Sequence, residues 1–303
     1  MTGYDLSGGT NTPWRAVRPF LALAAAVSVI LYRKPGAVSH PQFWAEDGAI
    51  FFADQWNMGA NALLNPYADY LHLAPRLIAL ATDVFVPVRF APHAYAITSL
   101  LVALAVLAGI FSPRVRLPCK PAFVLSVALI PMIQNEIFLV LTNIQWLLAL
   151  HLVVLLVKTR PERPAGFAFD IVATLLCGLT GPFIMVMAPL FAGKFARERS
   201  AWSGGLFVMS MVAGAAQAWH VAFGALGHQT ASHDIQAYAS ILGHKWFGTL
   251  FLGYEEAIQF NPWVIGLAGL AVVSALAWHS WRSGNAQPAL FLAIGLAFLA
   301  VAL

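Results

Sequence analysis

The stretch HPQFWAEDGAIFFADQWNMGANALLNPYADYLHLAPR, His40 to Arg76, decides how this chain is read. It is the one long segment that is neither plainly apolar nor a short turn. Four of the 13 acidic residues lie in it (Glu46, Asp47, Asp54 and Asp69), and its first half holds Phe43, Trp44, Phe51 and Phe52. Nearly everything after it is apolar and reads as helix. The helices are therefore expected to form a scaffold, and this segment, at a membrane surface, to carry the chemistry.

The composition around it sets the solvent. Of 303 residues, 60% are hydrophobic and 10% charged, where a soluble domain has about 25% charged residues. One core of this length cannot hide so many apolar side chains, so lipid is the expected solvent for much of the surface. The sequence predicts an all-α polytopic transmembrane protein of about 8–10 membrane segments, some short or broken. A transmembrane barrel would show short alternating segments instead. The net charge of +4 reads as cytoplasmic loop bias rather than a nucleic-acid surface. Cys119 and Cys177 have no metal-ligand spacing and read as packing residues rather than a disulfide.

Residues 1–303 read as one transmembrane domain. Residues 1–18 form a polar tail ending in Arg15 and Arg18, and the apolar run Phe20 to Tyr32 is followed by Arg33 and Lys34 rather than a cleavage site. That pattern predicts a retained signal-anchor, a cytoplasmic amino terminus and a first extracytoplasmic loop over 33–76. The basic clusters Arg114–Arg116–Lys120, Lys158–Arg160–Arg163 and Lys194–Arg197–Arg199, with Arg282, all fall on the cytoplasmic side by the positive-inside rule. Between the first two clusters lies a hairpin with a polar tip, Gln134–Asn135–Glu136. The next hairpin, Phe167 to Phe195, breaks at Thr180–Gly181–Pro182 into halves of about 13 residues, shorter than the ~20 of a full span. A third unit rises from Trp202 to Phe223, carries a second large outer loop over 224–261, and returns from Pro262 to Trp281. Residues 71–111 hold two apolar runs split at Pro87–Pro92, and they read in two ways: two full crossings, which put the Arg114 cluster outside, or one crossing with Leu71–Val86 interfacial or re-entrant, which keeps it inside. The last run stops at Leu303 with no cap or closing charge, which reads as a shortened member of a longer class.

Within the decisive stretch, Glu46 and Asp47 are adjacent carboxylates, and mutual repulsion predicts that one has a raised pKa. Such a group suits a general base at neutral pH, and equally suits a divalent cation, Mg or Mn. If Asp47 opens an amphipathic helix, Asp47, Phe51, Asp54 and Met58 share one face and Ala49, Phe52, Ala53 and Trp56 another. Its bland reading is a helix cap. Trp44, Tyr67 and Tyr70 suit an interfacial belt. Arg76 suits phosphate, or snorkels to lipid head groups, and His72 shares its helical face. Asn143 and Gln145 are polar groups in apolar helix that line a cavity or join helices, and Glu136, Asp83 and Asp170 are carboxylates of the same kind. Asp170 also reads as a simple cap. In the second outer loop, among His228, His233, Asp234, Glu255 and Glu256, the candidates for a polar acceptor or lipid phosphate are His244 and Lys245.

The Trp-Ala-Glu-Asp-Gly core at 44–48, with Pro-Tyr, Tyr-Leu-His and Pro-Arg after it, resembles the first outer loop of polytopic glycosyltransferases of the GT-C fold. Thr-Asn-Ile-Gln-Trp (142–146) and Leu-Thr-Gly-Pro-Phe (179–183) resemble segments of the same bacterial enzymes. The resemblance covers roughly residues 40–190. It implies a bacterial inner-membrane protein using a sugar on a polyprenyl phosphate, with a glycan, lipid or protein acceptor on the extracytoplasmic face. It further implies that Glu46 or Asp47 deprotonates the acceptor hydroxyl or positions a metal that does so. This chain departs from the commoner acidic patterns in having the two acids adjacent. Two other classes fit the composition: a flippase of lipid-linked glycan using the broken helices with Asp83 and Glu136, and a non-catalytic membrane subunit.

Overall fold

A computed structural model describes residues 14–129, 137–223, 235–240, 243–244, 248 and 258–283. Glu136, His228, His233, Asp234, Lys245, Glu255, Glu256 and the run toward Leu303 lie outside the described residues. Among the described residues every regular element is helical: α1 (Trp14–Arg33), α2 (Ala53–Met58), α3 (Leu73–Phe85), α4 (Ala91–Ile110), α5 (Lys120–Leu129), α6 (Ile144–Val157), α7 (Pro164–Gly178), α8 (Phe183–Glu198), α9 (Ala201–Phe223), α10 (Ile235–Ser240) and α11 (Pro262–Ser283). Two of them are long and apolar enough to cross a membrane: α4, with the 3₁₀ turn before it (Val88–Ile110), and α9. Each has 23 residues, about 35 Å of helix against a ~30 Å hydrocarbon core.

Proline sets several boundaries. Pro92 and Pro164 stand in the first turns of α4 and α7, where the missing N–H costs nothing. Pro182 precedes α8, and Arg199 ends that helix in the left-handed conformation. The expected break at 180–182 is thus the gap between α7 and α8. Within 71–111, α4 with its preceding turn is long and apolar enough for a crossing, whereas α3 has 13 residues, about 20 Å.

The core sits around α6, whose side chains from Ile144 to Leu156 are almost all buried. Helices α4, α7 and α8 pack on it and α9 closes against α7 and α8. Small residues permit that closure: a Cβ on Gly205 would stand 2.6 Å from Ile171 Cδ1, the close approach typical of helices packed without a hydrophobic driving force. Large apolar side chains face outward: Phe20 is 71% exposed, Phe85 80% and Phe223 69%.

The bundle has two chemically distinct ends. At one, all three basic clusters meet. Arg114 and Thr159 exchange backbone and side-chain hydrogen bonds at 2.9 Å, and Lys194 Nζ donates to the carbonyls of Leu156 and Lys158. Asp170 is the hub. It is fully buried, paired with Arg114 and, at 3.2 Å, with Lys158, and it accepts from Trp202 Nε1 at 3.1 Å. Reading Asp170 as a helix cap is therefore corrected: it lies inside α7, whose N-cap is Arg163, and it pairs with cations from two segments and a neutral N–H donor from a third. At the other end lie the 40–76 segment, the 137–143 loop, the α7–α8 gap and the last turns of α9.

Candidate functional site

The acidic pair opens a π-helical turn, Asp47–Phe52, closed by Ala53 N–H donating to Gly48 O. The wide turn holds about 4.4 residues per turn, so residues four apart nearly eclipse. Asp47, Phe51 and Gln55 are consequently the buried stripe. The α-helical face drawn from spacing is corrected in part: Asp47 and Phe51 do share a buried face, but Met58, expected on that face, is exposed.

Asp47 does not cap this turn. Its carboxylate is 3% exposed and reaches across to the loop before α6. Oδ2 accepts from Leu141 N at 3.0 Å, and Oδ1 accepts from Thr142 N at 2.8 Å and Thr142 Oγ1 at 2.6 Å. Leu139 bends this loop with a left-handed φ of 61°. Burial pushes the Asp47 carboxyl above its ordinary range, against the Thr142 and Leu141 hydrogen bonds and the Lys34 charge, which lower it. Glu46 turns the other way and accepts from the Tyr67 hydroxyl at a long 3.5 Å. The two acids are neighbours in sequence with separate partners.

Asp47 also lines a cavity of about 400 Å³ walled by Lys34, His40, Gln42, Trp44 and Tyr95. The Lys34 ammonium stands 4.9 Å over the Trp44 ring. A carboxylate, an ammonium and an indole therefore meet around one hollow.

Tyr67 to Tyr70 form a two-residue turn bonded in both directions, at 3.0 and 3.3 Å. Both central residues have positive φ, Ala68 at 53° and Asp69 at 64°, as a type I′ turn requires. An alanine there stores about 1–2 kcal/mol, and such strain clusters at functional sites. The turn brings both tyrosines onto His72: the Tyr70 ring stacks at 4.6 Å, and Tyr67 and Phe51 each sit 5.5 Å away. His72 Nδ1 lies 3.2 Å from the Tyr70 carbonyl, so Nδ1 carries the hydrogen and the lone pair is on Nε2, which is buried without a partner. Burial lowers its pKa to about 4, so the ring is neutral at pH 7. Burial likewise raises the Tyr70 phenol.

Arg76 follows one turn later and shares Phe51 with His72, its guanidinium 4.8 Å over that ring. It does not snorkel. It is 1% exposed, with Nη2 2.8 Å from Asp54 Oδ2. That contact is an ion pair out of hydrogen-bond alignment, and Nε and Nη1 have no hydrogen-bond partner. Asn65 Nδ2 holds the same Asp54 oxygen at 3.0 Å.

The segments join edge to edge. His72 and Thr180 form an antiparallel bridge, with Leu73 N donating to Leu179 O at 3.0 Å and Gly181 N to Leu71 O at 2.9 Å. Thr180 Oγ1 accepts from Ala74 N at 2.9 Å. Gly181 has φ +92°, and a Cβ there would stand 2.7 Å from Gln145 Oε1. The Trp146 and Phe183 rings meet edge-on at 4.7 Å. Gln217 of α9 locks the joint: it accepts from Leu71 N at 2.8 Å and donates to the carbonyls of Leu71, Gly178 and Gly181 at 3.1–3.2 Å.

Spacing alone did not point to Gln217, Thr142 as the Asp47 clamp, or Lys34 as a cavity cation. A polar residue inside an apolar helix was the available signal for Gln217. Asn143 takes the N-cap position of α6 without a side-chain capping bond. His244 engages Ser240 and the Phe260 carbonyl, at 3.3 and 2.8 Å. Asp83 is exposed rather than buried, which removes one support of the flippase reading. Both cysteines are free, and Cys119 is exposed rather than packed.

Among the described residues no three His, Cys, Asp or Glu side chains gather as a metal set. The acidic pair does not fit Mg or Mn as it stands: Asp47 faces N–H and O–H donors that a cation would displace, and Glu46 faces Tyr67. No family model, curated protein or solved structure matches the chain.

Proposed function

We propose that this chain is a polytopic membrane glycosyltransferase that moves a sugar from a polyprenyl-phosphate donor to an acceptor hydroxyl at the outer membrane face. The observation that carries the reading is Asp47: a buried carboxylate, clamped by Thr142, forming the wall of a roughly 400 Å³ cavity beside Lys34 and Trp44. The meeting of 44–48, 70–72, 142–146 and 179–183 at the end opposite the basic clusters supports it, as do the outward apolar side chains. That separation suits a bilayer between two ends of opposite chemistry.

In this reading Asp47 is the base. Its raised pKa improves it as a proton acceptor near neutral pH, and Oδ2, with one donor, keeps a lone pair. The acceptor oxygen attacks the anomeric carbon, the bond from that carbon to the phosphate oxygen breaks, and the acceptor proton passes to Asp47. The polyprenyl phosphate leaves with the bonding pair, next to the Lys34 charge. Trp44 offers the sugar a flat apolar face, and Glu46 positions the Tyr67–Tyr70 turn.

The test is transfer of radiolabelled sugar from a polyprenyl-phosphate donor by purified protein in vesicles. Asp47→Asn is expected to abolish transfer and Glu46→Gln to reduce it, with both proteins still in the membrane. Normal transfer by both variants removes the proposed base.

A further inference from the structure

Across Tyr95 from the Asp47 cavity lies a second hollow of about 240 Å³, walled by Gln55, Trp56, Thr82, Asp83 and Tyr95. Asp83 is the one charged side chain among its lining residues. Gln55 is 3% exposed, and its Nε2 donates to Asp83 Oδ2 at 3.1 Å. That carboxylate fixes the amide orientation, since the flipped amide would set oxygen against oxygen. Gln55 Oε1 is left buried with no hydrogen-bond partner, a costly state for an acceptor. The wall thus presents the Asp83 carboxylate with no cation beside it among the lining residues. Phosphate is repelled there, and a group bearing N–H or O–H is wanted.

The surroundings are apolar and outward-facing. Trp56 is 66% exposed, Val84 62%, Phe85 80% and Val88 57%. Exposed apolar surface at the mouth of a polar hollow is the profile of a site for an amphiphile.

We propose that this hollow binds the head of a membrane amphiphile that donates hydrogen bonds, through an ammonium or hydroxyls, to Asp83, with its chain lying over Phe85 and Val88. The inference rests on the membrane placement proposed for the chain and not on sugar transfer. Two sources share this chemistry, an aminophospholipid and a neutral glycolipid. Phosphatidylcholine is the control, since its head carries the same positive charge with no N–H to donate.

The experiment places the full chain in nanodiscs of phosphatidylcholine containing equal fractions of phosphatidylethanolamine in one arm and glucosyl diacylglycerol in the other. Native mass spectrometry counts the lipids retained. One molecule of ethanolamine lipid or glycolipid is expected to be retained over phosphatidylcholine by at least about tenfold, the worth of one hydrogen bond to a charged group. Asp83→Leu is expected to abolish that preference. Asp83→Asn abolishes it for the ammonium head but keeps most of it for the glycolipid, which tells the sources apart. Equal retention of phosphatidylcholine by the unaltered chain overturns the proposal, whether or not the variants fold. So does an undiminished preference in a folded Asp83→Leu protein. Failure of the chain to enter nanodiscs refutes the membrane placement instead.

Discussion

Replacing Gln217 by leucine tests the joint on which the site is built. The side chain is fully buried in α9, accepts from Leu71 N, and shares its two amide hydrogens among three carbonyls. Leucine has nearly the same volume and none of these bonds. Leu71 N–H would be left buried and unpaired, at about 1–3 kcal/mol. Leu71 O would keep the Gly181 N–H. The Gly178 and Gly181 carbonyls would lose a donor, at about 0.5–1.5 kcal/mol each. The apolar gain of leucine offsets about 1 kcal/mol of this. The net expectation is a loss of about 1–5 kcal/mol, a large share of a typical 5–15 kcal/mol stability. Urea unfolding in maltoside micelles, followed by helical circular dichroism, reads the loss. Hydrogen exchange at the Leu71 amide shows whether it is local to the joint. A loss below about 0.5 kcal/mol, the usual range of a surface substitution, with unchanged exchange would refute the assignment of Gln217 as the lock.

Other single-residue changes have equally definite expected outcomes. His72 has its pKa lowered to about 4 by burial, below the ordinary 6.5, so the unfolded chain binds the extra proton first. Its contribution is present above pH 6.5 and lost as pH falls toward 4, by up to about 3 kcal/mol, and His72→Phe should flatten stability measured across that window. Gly181→Ala forces a Cβ onto Gln145 at a left-handed φ and should cost more than about 1 kcal/mol, read as a lower denaturation midpoint. Asp170→Asn leaves Lys158 and Arg114 without their counter-charge and should cost about 3–5 kcal/mol; an unchanged midpoint would mean water replaces the carboxylate. Transfer activity, if Asp47 is the base, should rise with pH along a limb displaced above the ordinary carboxylate value, because burial raises that carboxyl, and a limb at pH 3.8 would count against it.

Much of the helix pattern was legible because its signals are local. The Thr180–Gly181–Pro182 break was legible because glycine and proline interrupt a helix wherever the chain goes. The grouping of basic residues was legible as well, since the charge rule depends on loop composition. Roles in the site were less so. Asp47 read equally as a cap, a metal ligand or a base, and spacing could not rank them, because the deciding partners Leu141 and Thr142 lie more than ninety residues away. Arg76 read as a surface cation for the same reason: Asp54 and Phe51 must fold over it before it is buried.

Composition and periodicity, which need no partner, determined by themselves an all-helical chain with apolar elements and one polar segment of distinct character. Tertiary structure alone decided that the two adjacent acids have different partners, that Gln217 clasps two loops, and that Asp170 joins two of the basic clusters. The physical reason is that a side chain's hydrogen bonds and its degree of desolvation belong to the groups it meets in space, and a neighbour in sequence says little about which groups those are.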